Sequence, residues 1–293
     1  MTLVVAGFED NGTIVFCADS LITTRKDGIS IKLTSSFRKI VPLEVIVQFP
    51  EFSNDGVIVR YINTTSSHRC MIAFAGSTLV SQHIINNIQG HLRSIKVTFE
   101  EPHYKNNIYI EGKFKLKMGC EDDKKVLDTR WDEDIIWPQS NASELLNKDF
   151  FSKLFKHCIQ KNINEFLIEQ NDFFNPDWFA CEFICAISCY ESKRNHLFTY
   201  KMEFSDKHAN LIEKEIKEGD LAIIGIKRYN KKIIDSYCNS TPPVDVSNIL
   251  FSELHEAVLD NENADLREIG FPIIQKKFDQ YNELRDNQKH RGK

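Results

Sequence analysis

The sequence predicts an α+β fold with two β-sheets between two helical layers, a four-layer αββα sandwich. Three observations predict it. The chain opens on two short, β-branched apolar runs, 2–8 (TLVVAGF) and 13–18 (TIVFCA), separated by a turn. Two long segments, 78–92 and the stretch from Ser143-Glu144 to about Glu169, then repeat apolar residues at three- and four-residue spacing, as on one buried helix face. The full order is strands, two helices, strands, two helices, strand, which suits sheets packed on each other with helices outside them.

Each element has a local reason. The first two runs are joined by Glu9-Asp10-Asn11-Gly12, whose Asn-Gly pair is a hairpin turn signal. Strands follow at 37–43 (FRKIVPL), 57–62 (VIVRYI) and 70–75 (CMIAFA), the last broken by Ala75-Gly76-Ser77. The helix after that break carries Leu79, Val80, Ile84, Ile85, Ile88 and Leu92 on its apolar side. Residues 94–143 mix strand-like fragments with the charged run Glu121-Asp122-Asp123-Lys124-Lys125 and the acidic segment Trp131-Asp132-Glu133-Asp134, and read as an insertion without a regular fold. Strands are predicted at 179–190, 196–204 and 221–226, the last after a Glu218-Gly219-Asp220 turn. Helices at 229–238 and 245–259 flank the Pro242-Pro243 break, and a strand at about 270–278 precedes a charged, solvated tail at 279–293.

Composition bounds the function. At 293 residues with 42% hydrophobic content and 21 Phe, the chain can bury a sizeable core, and one domain over 1–293 with insertions at about 44–68 and 94–143 is expected. A net charge of −5 gives no electrostatic case for nucleic acid or an anionic membrane. No apolar run approaches the roughly twenty residues that cross a bilayer, and no secretion signal is visible, so a cytoplasmic protein is expected. The eight cysteines are scattered and read as reduced thiols in that compartment. Cys181, Cys185 and Cys189 share a face, but on one strand they would span about 26 Å, too far for a single zinc. His83 and His91 fall on the helix after Ala-Gly-Ser and read as surface or core histidines; no His-Glu-x-x-His pattern occurs, so no metal is expected. Neither a phosphate-binding glycine loop nor a dinucleotide fingerprint is present, and no cofactor is expected.

Thr2 is the candidate nucleophile. It is small enough to allow removal of Met1, which would leave one residue carrying a hydroxyl and a free amine that can serve as its base. A threonine after an initiator methionine is also a common, functionless occurrence. Arg38 and Lys39 are rival cations, and adjacent strand residues face opposite ways, so only one can look into a site. Gly76 ends a strand where a backbone N–H could reach an oxyanion unobstructed, or is simply a turn glycine.

Thr2, Ala18-Asp19-Ser20, Phe37-Arg38-Lys39-Ile40, Ala75-Gly76-Ser77 before a helix, and Asp220-Leu-Ala-Ile-Ile-Gly225 before another resemble the proteasome β-subunit family of N-terminal-nucleophile hydrolases, including the simpler bacterial ring peptidases. The resemblance covers most of the chain outside 44–68 and 94–143. It implies a threonine peptidase in which Thr2 attacks, Lys39 lies close to the hydroxyl, Asp19 pairs with that lysine, and the Gly76 N–H holds the oxyanion. Phe74 would line the pocket for the acyl-side residue, and Asp265 would be the second aspartate of the network. Peptide or unfolded-protein substrates, a ring-like homo-oligomer and an ATP-dependent unfoldase partner are implied with it. Two departures stand out: Ile226 follows Gly225 where active members usually have serine, and the serine that normally accompanies the second aspartate is missing beside Asp265. They support an alternative, a non-catalytic scaffold or sensor that acts through protein contacts.

Overall fold

The computed structural model describes residues 2–26, 29–100, 102–105, 108–121, 145–169, 179–189, 192–205, 208–240 and 245–279. Met1, the acidic segment 131–134, the predicted helix start at 143–144, Pro242-Pro243 and the tail beyond 279 lie outside them. The described chain is a mixed α/β structure. A four-stranded antiparallel sheet is built from β1 (Leu3–Phe8), β2 (Ile14–Asp19), β14 (Leu221–Gly225) and β15 (Ile273–Phe278), in the order β14-β1-β2-β15. A seven-stranded sheet comprises β5 (Ile40–Phe52), β6 (Ile58–Gly76), β7 (Ile95–Glu100), β10 (Lys113–Lys117), β11 (Cys181–Cys189), β12 (Arg194–Ser205) and β13 (His208–Ile216). Its order is β10-β7-β5-β6-β11-β12-β13. Two small ribbons, β3 (Ile22–Lys26) with β4 (Ile29–Thr34) and β8 (His103–Lys105) with β9 (Ile108–Ile110), complete the strands. The helices are α1 (Thr78–Leu92), α2 (Lys148–Glu169), α3 (Asn230–Cys238) and α4 (Val246–Asn263).

The strand sequences explain how these parts meet. Side chains alternate along a strand, so an apolar run without alternation is buried on both faces. In β1, Leu3 and Val5 join Leu250, Leu254 and Val258 of α4, whereas Val4 and Ala6 join Met71, Ala73, Ile184 and Ala186 of the larger sheet. On the far side of that larger sheet, Ile72, Phe183 and Cys185 pack with Ile84, Ile85 and Ile88 of α1 and Leu154, Phe155 and Ile159 of α2. Asn147 starts α2 by accepting the Phe150 N–H at 3.0 Å, and Asp245 starts α4 by accepting that of Asn248 at 3.0 Å. No described helix is long and apolar enough to cross a membrane.

Several elements differ from expectation. The strands predicted at 57–62 and 70–75 are one 19-residue strand, β6, and residues 44–68 form the distal part of the β5–β6 hairpin, with Ile46 opposite Thr65 and Pro50 opposite Tyr61. Polar residues 63–69 interrupt the apolar pattern, but the ladder to β5 continues on both sides of a register shift there, pairing Arg69 with Glu44 and Thr65 with Ile46. Within the expected irregular segment, β7 pairs parallel to β5 and antiparallel to β10. The β3–β4 ribbon and β13 lie outside the predicted strands; β13 (HANLIEKEI) has no regular alternation, with Leu211-Ile212 followed by Glu213-Lys214-Glu215, and takes its strand form from a nine-pair ladder with β12.

Candidate active site

Asp19 ends β2 with neighbours on both sides: Val4 stands opposite Ala18, and Ile273 of β15 opposite Asp19 itself. This placement buries the carboxylate completely. Its Oδ1 accepts the Leu3 N–H at 2.9 Å and its Oδ2 the Leu21 N–H at 3.1 Å. Lys39, entering from the residue before β5, donates from Nζ to Oδ1 at 2.9 Å, to Oδ2 at 3.0 Å and to the Leu21 carbonyl at 2.7 Å. Lys39 is 1% exposed, whereas Arg38 is exposed, so of the two rival cations it is Lys39 that faces inward. Burial pushes the Asp19 carboxyl up and the Lys39 ammonium down from their ordinary values, against the mutual attraction and hydrogen bonds that favour the charged forms. Such a pair holds together because every oxygen and proton facing it has a partner.

Ser20 fastens the surrounding loops. Its hydroxyl donates to the Pro272 carbonyl at 2.6 Å and accepts the Ser36 N–H at 3.3 Å, and its carbonyl accepts the Phe37 N–H at 3.0 Å. The Ala-Asp-Ser triplet thus fixes the segment that delivers Lys39.

Thr2 precedes β1 and is 6% exposed. Its carbonyl accepts the Ile226 N–H at 3.0 Å. Gly225 makes this approach possible: φ is +94° and a Cβ there would sit 1.9 Å from the Thr2 carbonyl oxygen. The Gly225 N–H donates to Glu182 Oε2 at 2.7 Å, and Glu182 Oε1 lies 3.4 Å from Lys201 Nζ. Glu182, opposite Ala75 in the ladder, is the residue sequence reading missed. A lone carboxylate within the apolar run 179–188 was the available signal.

Gly76 is exposed at the end of β6, with φ +102° and the Ala180 carbonyl 2.2 Å from where a Cβ would lie. Only glycine fits there. The other two predicted residues are placed differently. Phe74 is 1% exposed in the cluster shared with α1 and α2, its ring edge-on to Phe37 at 6.2 Å, so this chain's own side chain fills the space beside it. Asp265 is solvent-exposed in the turn after α4, paired with Arg267 Nε at 2.7 Å, and is not brought to the Asp19–Lys39 cluster. Its φ of +51° in a surface turn accounts for an aspartate there without chemistry.

Gly225→Ala is expected to destabilise the fold by more than the roughly 1–2 kcal/mol of left-handed backbone strain, because the methyl meets the Thr2 carbonyl. Gly12→Ala is the control, since φ is +80° there and nothing lies within 4 Å of the added carbon. Equal denaturant midpoints for the two variants would remove Gly225 from the account of how Thr2 is held.

No protein-family model and no curated protein sequence matches the chain. Solved structures do match in shape. An Anbu (Gly-1) mutant from Hyphomicrobium sp. strain MC1 aligns over 99% of this chain and 96% of its own at 13% identity, TM-score 0.50. The fold is Anbu-like. Anbu (ancestral beta-subunit) from Yersinia bercovieri aligns over 94% and 81% at 15% identity with TM-score 0.48. The helical assembly of the Anbu complex from Pseudomonas aeruginosa gives 100% and 93% at 13% identity with TM-score 0.46. At such identity the likeness is one of fold alone.

Proposed function

We propose that the chain is a cytoplasmic N-terminal-nucleophile amide-bond hydrolase acting on peptides, with Thr2 as nucleophile once Met1 is removed. The observation that carries the reading is the buried Lys39–Asp19 pair, whose carboxylate also grips the Leu3 N–H one residue beyond Thr2. In the proposed reaction Thr2 Oγ attacks the carbonyl carbon and its proton passes to the Thr2 α-amine, whose ordinary pKa is near 8. The Lys39 charge favours the alkoxide, and the Gly76 N–H receives the oxyanion. Collapse breaks the C–N bond, the departing amine takes the proton from the α-ammonium, and water cleaves the Thr2 ester to regenerate the hydroxyl.

A second reading, a non-catalytic scaffold or sensor, is favoured by specific observations. Ile226, where active members of the resembled family usually have serine, is buried in the cluster with α4. The Lys39 ammonium already has three oxygen acceptors within the chain, and Phe37 fills the side of Phe74. Intact-mass analysis after incubation with a threonine-directed electrophile separates the readings. The hydrolase shows loss of Met1 and one adduct at Thr2; retained Met1 and no adduct leave the scaffold.

The same proposal takes the three apolar clusters as the interfaces of a four-layer αββα sandwich, one domain over 1–293 whose signature is a single cooperative unfolding transition. It also includes self-association, because an unselective peptidase is safe only when its threonines are enclosed. Light scattering on the eluting protein should give a mass well above 34.0 kDa at micromolar concentration. A monomer at that concentration would sink the enclosed chamber, together with any unfoldase partner feeding it.

A further inference from the structure

Away from Thr2, three side chains of metal-ligating type converge from three separate elements. His91 lies in the last turn of α1, Cys120 in a 3₁₀ turn (Gly119–Glu121) after β10, and His157 midway along α2. Cys120 Sγ is 3.1 Å from His157 Nε2, the two imidazole centroids are 5.8 Å apart, and one ligand atom from each residue lies within 4.8 Å of the others. Around a tetrahedral zinc ion with bonds of about 2.0–2.3 Å, neighbouring ligand atoms stand about 3.3–3.6 Å apart. Closing this cluster on an ion therefore needs side-chain movements of about 1 Å.

The fold builds the convergence. Gly119 lets the turn lie against the corner between α1 and β7, since a Cβ there would be 2.5 Å from Ser94 Oγ, which itself donates to the Gly90 carbonyl at 2.9 Å. Cys158, the residue after His157, is buried in the core cluster, as is Leu92 after His91. Successive helix residues are turned about 100° from each other, so both histidines sit at the margin of the buried face, where the turn bearing Cys120 arrives.

We propose that His91, Cys120 and His157 bind one transition-metal ion of the zinc class. Two imidazoles and one thiolate match zinc or cobalt and disfavour magnesium or calcium, which take oxygen ligands. Three protein ligands leave the fourth position to water. On binding, the metal–sulfur bond forms and the thiol proton is released to solvent. The ion would tie α1, α2 and the β10 arm together on the side of the larger sheet remote from β1. This site is independent of any chemistry at Thr2.

The test uses the full untagged chain, reduced and metal-free, titrated with Co²⁺. The expected result is one equivalent bound, with the visible bands of a tetrahedral ion and a near-ultraviolet thiolate-to-metal band, all lost on adding Zn²⁺. Cys120→Ser should remove the thiolate band, and His91→Ala and His157→Ala should each weaken binding at least about tenfold. Thr2→Ala should bind as the wild type does. A wild-type measurement guards against variants that fail to fold. Cys120 and Cys238 are the exposed cysteines among the described residues, so Zn²⁺ should protect Cys120 from alkylation and leave Cys238 reactive. Equal alkylation of both cysteines with and without Zn²⁺, or a Co²⁺ spectrum unchanged by Cys120→Ser, overturns the site. If the cysteine and histidine form only a hydrogen-bonded thiol pair, Cys120 alkylates rapidly whether or not metal is present.

Discussion

Lys39→Met is expected to destabilise the folded chain by about 3–5 kcal/mol, the range for removing one partner of a buried ion pair. The methionine roughly fills the volume, so packing is not the main loss. What remains is the Asp19 carboxylate, 0% exposed, with only the Leu3 and Leu21 N–H groups left to hold it and the Leu21 carbonyl deprived of its 2.7 Å donor. Adding Asp19→Asn to this variant removes the stranded charge while an amide oxygen can still accept a backbone N–H, so the double variant should recover part of the loss. Denaturant unfolding of the wild type, both single variants and the double variant measures the coupling. A single-variant loss within about 1 kcal/mol, as for an exposed pair, would show that Lys39 and Asp19 are not coupled as described. This result bears on the fold and holds whether or not the chain turns over a substrate.

Parts of this arrangement are legible in the amino-acid sequence alone. The apolar runs of β1 and β2 and the Asn11-Gly12 turn mark the first hairpin, because Gly12 takes the positive φ such turns need. The α1 face is visible through Ile84, Ile85 and Ile88, since helical spacing is set by the backbone alone. Lys39 and Asp19 are picked out by resemblance; Lys39 faces inward and Arg38 outward although both precede β5, which begins at Ile40 rather than within the strand predicted at 37–43. Tertiary approach is hidden. Glu182 matters through a hydrogen bond to Gly225, 43 positions away, and nothing in its local sequence announces that partner. Asp265 carries a matching residue type, but its turn points the carboxylate at Arg267 and solvent. The meeting of His91, Cys120 and His157 is equally invisible, because it depends on a glycine-permitted approach between separate elements. β13 escapes a pattern reading because pairing with the preceding strand β12 imposes an extended backbone on a sequence whose Glu213-Lys214-Glu215 run breaks alternation.

Thr2→Ala is expected to lower peptide turnover to background, a loss of at least about a thousandfold, if the proposed nucleophile is correct. The variant is informative because little else should change. Thr2 contributes its backbone carbonyl to Ile226, and alanine supplies the same carbonyl at the same 3.0 Å bond. The Asp19 carboxylate contacts Leu3 rather than the Thr2 side chain, so the buried pair stays intact. Alanine is also small enough for Met1 to be removed, which keeps the amine available in both proteins. An unchanged denaturant midpoint combined with lost turnover and lost electrophile labelling would assign the chemistry to the hydroxyl. Thr2→Ser keeps a hydroxyl and should retain both turnover and labelling, which an effect on packing alone would not predict. If wild type and Thr2→Ala are equally inactive across a broad peptide panel, the Lys39–Asp19 pair is a structural remnant. The buried Ile226 would then belong to a chain that has the fold without the reaction.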